Sequence, residues 1–202
     1  MEYLESALKH LRKDRQMRRV IDRVGEFKPR PHPPREYFRI LASSIVGQML
    51  SLKAASTIRK RLEDRVRPRK VTPESLLALS TSDLRGVGLS NTKARAMHDL
   101  SRRTADGTLR LKAFPRMEND EIIDQLTEVH GVGRWTVQMF LMFGLVRPDV
   151  WPIDDLGIRA AIKKMDQLKE MPVKAYMLKR GDLYAPFRTV ASWYLWQSLT
   201  LE

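Results

Sequence analysis

Apolar residues recur along most of the chain at three- and four-residue spacings, the period of an amphipathic helix. Tyr3, Leu4, Ala7, Leu8 and Leu11 share one such face, and so do Met17, Val20, Ile21 and Val24, with Gly25 placed to end that second helix. The run Lys28-Pro-Arg-Pro-His-Pro-Pro34 cannot be helical in its interior and reads as a crossing between lobes. Glu36 to Val46 reads as a buried helix, with Phe38, Leu41, Ile45 and Val46 inward. Ser51 is placed to cap a helix carrying Ala54, Ala55, Ile58 and Leu62. Thr72-Pro73 is a cap followed by proline at the first helical position, and Ala185-Pro186 is a weaker version of it. Ser82, Ser90 or Asn91, and Asn119 mark further helix starts, the last ahead of the stripe Ile122, Ile123, Leu126 and Val129. Only Thr108 to Lys112 alternates like a strand. The pattern predicts an all-α protein.

Composition narrows the class. The chain has 202 residues, 43% hydrophobic and 30% charged, enough for one domain or one domain of two lobes with a real core. Its longest apolar stretch, Trp135 to Val146, is broken by Gln138 and too short to span a bilayer. The first residues offer no uninterrupted apolar core and no cleavage site, so a secretory signal is not expected and the cell interior is. There is no cysteine, which excludes disulfides, thiol nucleophiles, thiolate zinc sites and cysteine-ligated iron–sulfur clusters. The histidines His10, His32, His98 and His130 lack a metal-ligand spacing. A net charge of +13 points to a polyanion, nucleic acid ahead of a membrane surface, against the plainer alternative of a merely basic soluble protein.

Two segments repeat a short pattern. Leu84-Arg-Gly-Val-Gly-Leu-Ser90 and Val129-His-Gly-Val-Gly-Arg-Trp135 each set Gly-Val-Gly between helical stretches. Either the glycines serve turn geometry alone, or they bring backbone amides to an outside partner. In the second copy the amides of Gly131, Gly133 and Arg134 fall at a helix N-terminus, where free N–H groups and the helix dipole suit a phosphate. Further on, Asp154 and Asp155 follow Pro152 at another helix start. Aspartates there are commonly caps; the alternative is a carboxylate facing a substrate.

The run LTEVHGVGRWTV, Leu126 to Val137, followed by WPIDDLGI, Trp151 to Ile158, resembles the helix-hairpin-helix DNA glycosylase superfamily, and within it the 3-methyladenine DNA glycosylase II, or alkylation-repair, family. Val137 departs from the alanine common there. The resemblance extends to Ile40-Leu-Ala-Ser-Ser-Ile-Val-Gly-Gln-Met-Leu-Ser51 and Pro186-Phe-Arg-Thr-Val-Ala-Ser-Trp-Tyr-Leu-Trp196, covering roughly residues 36–198. It implies an all-α, two-lobed fold with the active cleft between the lobes: one of about residues 35–146, containing the hairpin 126–137, the other of about 1–30 plus 148–202.

The resemblance also implies roles. Asp155 matches the catalytic aspartate, with Asp154 a neighbour that caps the helix or helps to position it. Trp135 and Trp196 match tryptophans of the base pocket; Trp151 is open between pocket and core, and Trp193 reads as core. Trp135 occupies the position of the lysine that attacks C1′ in bifunctional relatives, so a monofunctional enzyme that leaves an abasic site is implied. Met49, after Gln48, stands where the family inserts its wedge into the duplex; many relatives have a second glutamine there. The alternative for Met49 is packing at a helix end, while Gln48 either bonds near the opened step or braces its loop. Lys93, near the first hairpin of Gly86 and Gly88, is assigned a phosphate contact, alongside Gly131, Gly133 and Arg134. The carbonyls of Thr127, Val129 and Val132 match those that often hold a monovalent cation, Na or K, in the superfamily. No other cofactor is implied. The expected partner is duplex DNA containing alkylated bases, for which a monomer suffices. Rival readings are a glycosylase for 8-oxoguanine or mispaired uracil, and a non-catalytic helix-hairpin-helix DNA-binding protein.

Overall fold

The computed structural model describes residues 3–201. In chain order its helices are α1 (Tyr3–Leu11), α2 (Arg15–Val24), α3 (Tyr37–Gly47), α4 (Leu52–Val66), α5 (Pro73–Leu77), α6 (Thr81–Gly86), α7 (Asn91–Ala105), α8 (Asn119–Thr127), α9 (Arg134–Met139), α10 (Leu156–Met165), α11 (Lys174–Asp182) and α12 (Arg188–Ser198). No strand occurs among the described residues. Thr108–Lys112 instead lies in a loop that tightens into a 3-10 turn, Leu111–Arg116. Leu109, Leu111 and Phe114 are all buried there, so the alternation marked inward-facing loop residues rather than a pleat. No described helix is long and apolar enough to cross a membrane.

Several helix starts follow side-chain chemistry. Ser51 accepts the Ala54 amide, Thr72 and Ser75 form a reciprocal capping box that spans Pro73, and Ser90 accepts the Lys93 amide. Others are displaced from the sequence expectation. Ser80 rather than Ser82 caps α6, and Glu118 rather than Asn119 precedes α8. Ala185-Pro186 is a cis peptide, and α12 begins at Arg188.

The chain divides into two compact units: residues 31–145, and a unit drawn from both ends of the chain, up to Arg30 and from Val146 onward. In the first, α3 and α7 are central; Leu41, Ile45, Met97, Leu100, Phe114, Leu126 and Phe140 are buried. In the second, α12 packs on both α2 and α10, over Met17, Ile21, Ile158, Ile162, Tyr184 and Tyr194. Trp151 belongs to this core: its indole N–H donates to the Met177 carbonyl at 2.8 Å, and a side chain at Gly181 would overlap its ring. A charged cluster is built into the same unit. Arg180 bonds Asp14 at 2.6 Å and Asp166 at 2.9 Å, and lies 5.1 Å from the Tyr184 ring centre. Asp14 also caps α2 through the amides of Gln16 and Met17. Burial alone would raise the Asp14 carboxyl, but the hydrogen bond from Arg180, the Met17 amide and the guanidinium charge hold it below its ordinary value.

Candidate functional site

Asp155 is itself the N-cap of α10, so Asp154 is not; Asp154 is the exposed neighbour. Oδ1 of Asp155 accepts the Ile158 amide at 2.8 Å and the Trp196 indole N–H at 2.9 Å. The residue is 8% exposed, which is low for a carboxylate and is offset by these donors. The two readings of this aspartate are therefore compatible: one oxygen performs a capping role and also takes the N–H at the edge of the Trp196 indole, which fixes the carboxylate. Gly157 permits the approach, since a Cβ there would lie 2.9 Å from Trp196 Cδ1 and 3.0 Å from its Nε1. The other end of α12 holds the strand of chain leading to Asp155. Arg188 clamps Asp149 with two bonds of 2.6 Å, and Thr189 takes the Val150 amide and donates to the Arg147 carbonyl. Asp155 and Trp196 are thus brought together within one unit by a helix pinned at both ends.

The other unit carries the hairpin. Between α8 and α9 the chain turns through Gly131 at φ +72, a left-handed conformation that glycine adopts without a Cβ clash. Gly133 differs: its φ of −94 is open to any residue, and nothing lies within 4 Å of where a Cβ would be. Neither backbone nor packing calls for glycine at that position. What glycine leaves there is an open approach to the start of α9, which has no side-chain cap. The first motif is not equivalent. In it the second glycine, Gly88, has the positive φ of +108 and a Cβ there would lie 3.1 Å from Ile58 Cγ1, while Gly86 is the last residue of α6 with open space beside it.

Asp99 of α7, a residue that sequence reasoning missed, accepts the His130 amide at 2.9 Å. Its own charge is balanced by Arg102 and Arg103. A carboxylate on an arginine-rich helix has no sequence signal that separates this role from a solvated face. Arg134 is exposed and 3.7 Å from Asp120. Trp135 is 38% exposed, presenting part of its ring at the start of α9. Val129 O accepts the Val132 amide at 3.0 Å, and a carbonyl so engaged retains a second lone pair. Among the described residues no cluster of His, Asp or Glu is arranged to hold a metal.

Gln48 lies against this hairpin: its Nε2 donates to the Gly131 carbonyl at 3.1 Å and to Thr136 Oγ1 at 3.0 Å. Of the two roles open to it, the structure shows bracing. Met49, next in the chain, is 98% exposed at φ +54. It does not pack at the helix end. For a residue with a Cβ this conformation costs about 1–2 kcal/mol, so neighbouring contacts must hold it. Leu50 beside it is 39% exposed and forms with it an apolar tip that the sequence reading placed on Met49 alone. Lys93 departs from expectation. Its ammonium donates to the carbonyls of Val46 at 2.9 Å and Gln48 at 2.7 Å, at the end of α3, rather than pointing at the phosphate position assigned to it. Burial pushes this ammonium below its ordinary lysine value. Its acceptors are more than forty residues away in sequence, out of reach of any local pattern.

The described residues form helices and turns alone, with a glycine hairpin in one unit and a hydrogen-bonded carboxylate in the other, and comparison with known proteins gives the family. Residues 42–186 match the model of the HhH-GPD superfamily base excision DNA repair proteins, and the chain belongs to that superfamily. It is 35% identical to DNA-3-methyladenine glycosylase 1 of Schizosaccharomyces pombe, over 93% of this chain and 84% of that one. A solved structure of the S. pombe 3-methyladenine DNA glycosylase in complex with abasic DNA superposes with a TM-score of 0.89 at 33% identity, covering 97% of both chains. The crystal structure of a DNA-3-methyladenine glycosidase from Bacillus halodurans gives 0.81 at 33% identity, covering 95% of this chain and 88% of that one.

Proposed function

We propose that this protein is a monofunctional DNA glycosylase of base excision repair. It takes an alkylated purine of the 3-methyladenine type out of duplex DNA inside the cell and hydrolyses its N-glycosidic bond, leaving an abasic site. The observation that carries the reading is Asp155, buried, oriented by the Ile158 amide and the Trp196 indole, in a chain whose relatives are 3-methyladenine glycosylases. As the C1′–N bond breaks, its electron pair stays with the base and positive charge builds on the deoxyribose. A fixed carboxylate stabilises that charge. Water then adds to C1′ and gives up a proton, for which Asp155 is the acceptor within the site. A purine alkylated at N3 or N7 is already cationic and departs neutral, so the reaction needs no strong general acid. No amine is required either, since Trp135 stands where lyases have their nucleophile.

The supporting parts follow from the same reading. The amides at Gly131, Gly133 and Arg134 take a DNA phosphate, with Gly86 and Gly88 contributing a second backbone approach. Met49, with Leu50, fills the space left by the extruded base. Trp135 and Trp196 are the tryptophans assigned to the flipped base, with Asp154 beside Asp155; stacking on an indole favours a cationic base by ~0.5–2 kcal/mol, about one decade at most in selectivity. Leaving-group reactivity supplies the remainder. The hairpin carbonyls of Thr127, Val129 and Val132 are hard oxygen donors suited to Na or K, which when bound adds positive charge beside the phosphate. One protomer is sufficient for all of this.

The test is incubation with DNA containing methylated purines, uracil mispairs or 8-oxoguanine. Free methylated base should appear, with strands intact until alkali is added. Strand cleavage without alkali would contradict the monofunctional reading, and release of 8-oxoguanine or uracil instead would move the substrate to those lesions. Retention of DNA without release of any base would make it a binding protein only.

A further inference from the structure

We infer that Lys93 is a positioning residue for the DNA-opening loop, locking Gln48 and Met49 into the conformation that separates the base pair. The inference rests on the reading of Met49 as the wedge. The structure places three features in one continuous arrangement. First, the Lys93 ammonium holds the carbonyls of Val46 and Gln48 together, where α3 ends and its dipole presents negative charge. Second, Gln48 has its backbone on that ammonium and its side chain on the hairpin, at the Gly131 carbonyl and Thr136 Oγ1. Third, Met49 follows at once, in a left-handed conformation and almost wholly exposed. An exposed methionine is otherwise free to relax to an ordinary conformation, because no packing of its own restrains it. The restraint must reach it through its backbone neighbours, and Gln48 is held there from two directions.

Lys93 is also tied to α7, whose Ser90 cap fixes its amide and whose Asp99 takes the His130 amide. One helix therefore supports both the tip that enters the duplex and the hairpin that grips its backbone. A lysine spent on two carbonyls has no need of a phosphate to account for its burial. Its contribution to catalysis is made before chemistry, in the step that exposes the base, and depends on the terminal ammonium and not on its stem.

The test uses the full chain. Lys93→Met keeps the stem and removes the ammonium. Single-turnover excision of a methylated purine is compared for a paired lesion and for the same lesion in a bulge, where the base is already unpaired, with thermal unfolding followed alongside. Excision of the paired lesion is expected to fall by roughly ten- to a hundredfold, the scale of a misplaced positioning group, and that of the bulged lesion by less than about threefold. Because the chain has no cysteine, Lys93→Cys introduces a unique thiol. Aminoethylation of it restores an ammonium at nearly the native length and should recover excision of the paired lesion; carbamidomethylation should not. Equal loss on both substrates, no loss on either, or no recovery on aminoethylation overturns the inference. Should Lys93→Met fail to fold, Lys93→Gln carries the same comparison, because its polar head is uncharged and one bond short of the position the ammonium takes between these two carbonyls. Met49→Ala separates the two levels of the argument. If it leaves excision of the paired lesion unchanged, or if the native protein excises no methylated purine, the wedge reading fails and this inference with it. If Met49→Ala impairs the paired lesion and Lys93→Met does not, the Lys93 inference alone is overturned.

Discussion

At the scale of single residues, Asp155 shows how a structural duty and a chemical one come to share an atom. The Ile158 amide and the Trp196 indole both donate to Oδ1, so the carboxylate is oriented by the same bonds that start α10. An asparagine presents a carbonyl oxygen at that place and can accept both donors, yet it has no charge to set against an oxocarbenium-like sugar. Asp155→Asn is therefore expected to fold, with a loss of no more than about 1 kcal/mol at the cap. It should bind duplex DNA as the native protein does and slow base release by roughly a hundred- to a thousandfold. Single-turnover release from methylated DNA, measured beside affinity for an abasic duplex, checks this; release at the native rate would remove Asp155 from its assigned role. Trp196 was assigned to the base pocket only through family resemblance. That its N–H is given to Asp155 was not, because the two lie 41 residues apart and meet through the fold.

At the scale of elements, the helical period and the cap chemistry carried far. Caps at Ser51, Thr72 and Ser90 stand where side-chain oxygens precede apolar stripes, since the bond each makes is to an amide two or three residues on and needs nothing distant. Misplaced starts arose where two candidates adjoin, as at Ser80 and Ser82, or where the helix begins beyond the proline, as α12 does at Arg188. The likeness of the two Gly-Val-Gly motifs was real in letters and not in conformation, as Gly88 and Gly131 occupy different places in the motif yet each takes the positive φ. Their difference permits a paired prediction. Gly131→Ala forces a Cβ into the left-handed region and should cost about 1–2 kcal/mol of stability. Gly133→Ser meets open space in an extended conformation suited to capping, and should gain a few tenths of a kcal/mol. If the start of α9 receives a phosphate, the same serine covers the amides the phosphate needs, and duplex affinity should fall several-fold while stability rises. Chemical denaturation and a duplex-binding titration on the two variants read these opposite signs; unchanged affinity in Gly133→Ser would place the phosphate elsewhere.

At the scale of the molecule, charge sets both the response to salt and the response to acid. The excess of 37 Lys and Arg over 24 Asp and Glu makes binding to a polyanion release counterions, so affinity for duplex should fall steeply and log-linearly with salt. Lesion-containing and intact duplexes should share nearly the same slope, because phosphate contacts are indifferent to the base; a titration between low and physiological salt reads it. In acid the same excess grows, and the carboxylates that offset it are lost. Asp14 is the informative one. Its carboxyl sits below its ordinary value of 3.8 in the folded protein, despite burial, because Arg180 and the amides of α2 hold the charged form. A carboxyl depressed by folding contributes stability that is fully present above the unfolded value and disappears as pH falls through the folded one. The Arg180 pairing should thus be intact near neutrality and fail only below pH 3.8. Asp14→Asn keeps a cap acceptor for the Gln16 and Met17 amides and discards the charge, leaving Asp166 as the carboxylate paired with Arg180. Its melting temperature should lie clearly below that of the native protein at pH 6, and the gap should narrow towards zero as the native Asp14 becomes protonated. A gap that stays constant from pH 6 into strong acid would mean that Asp14 acts through its cap and packing, with its charge contributing nothing.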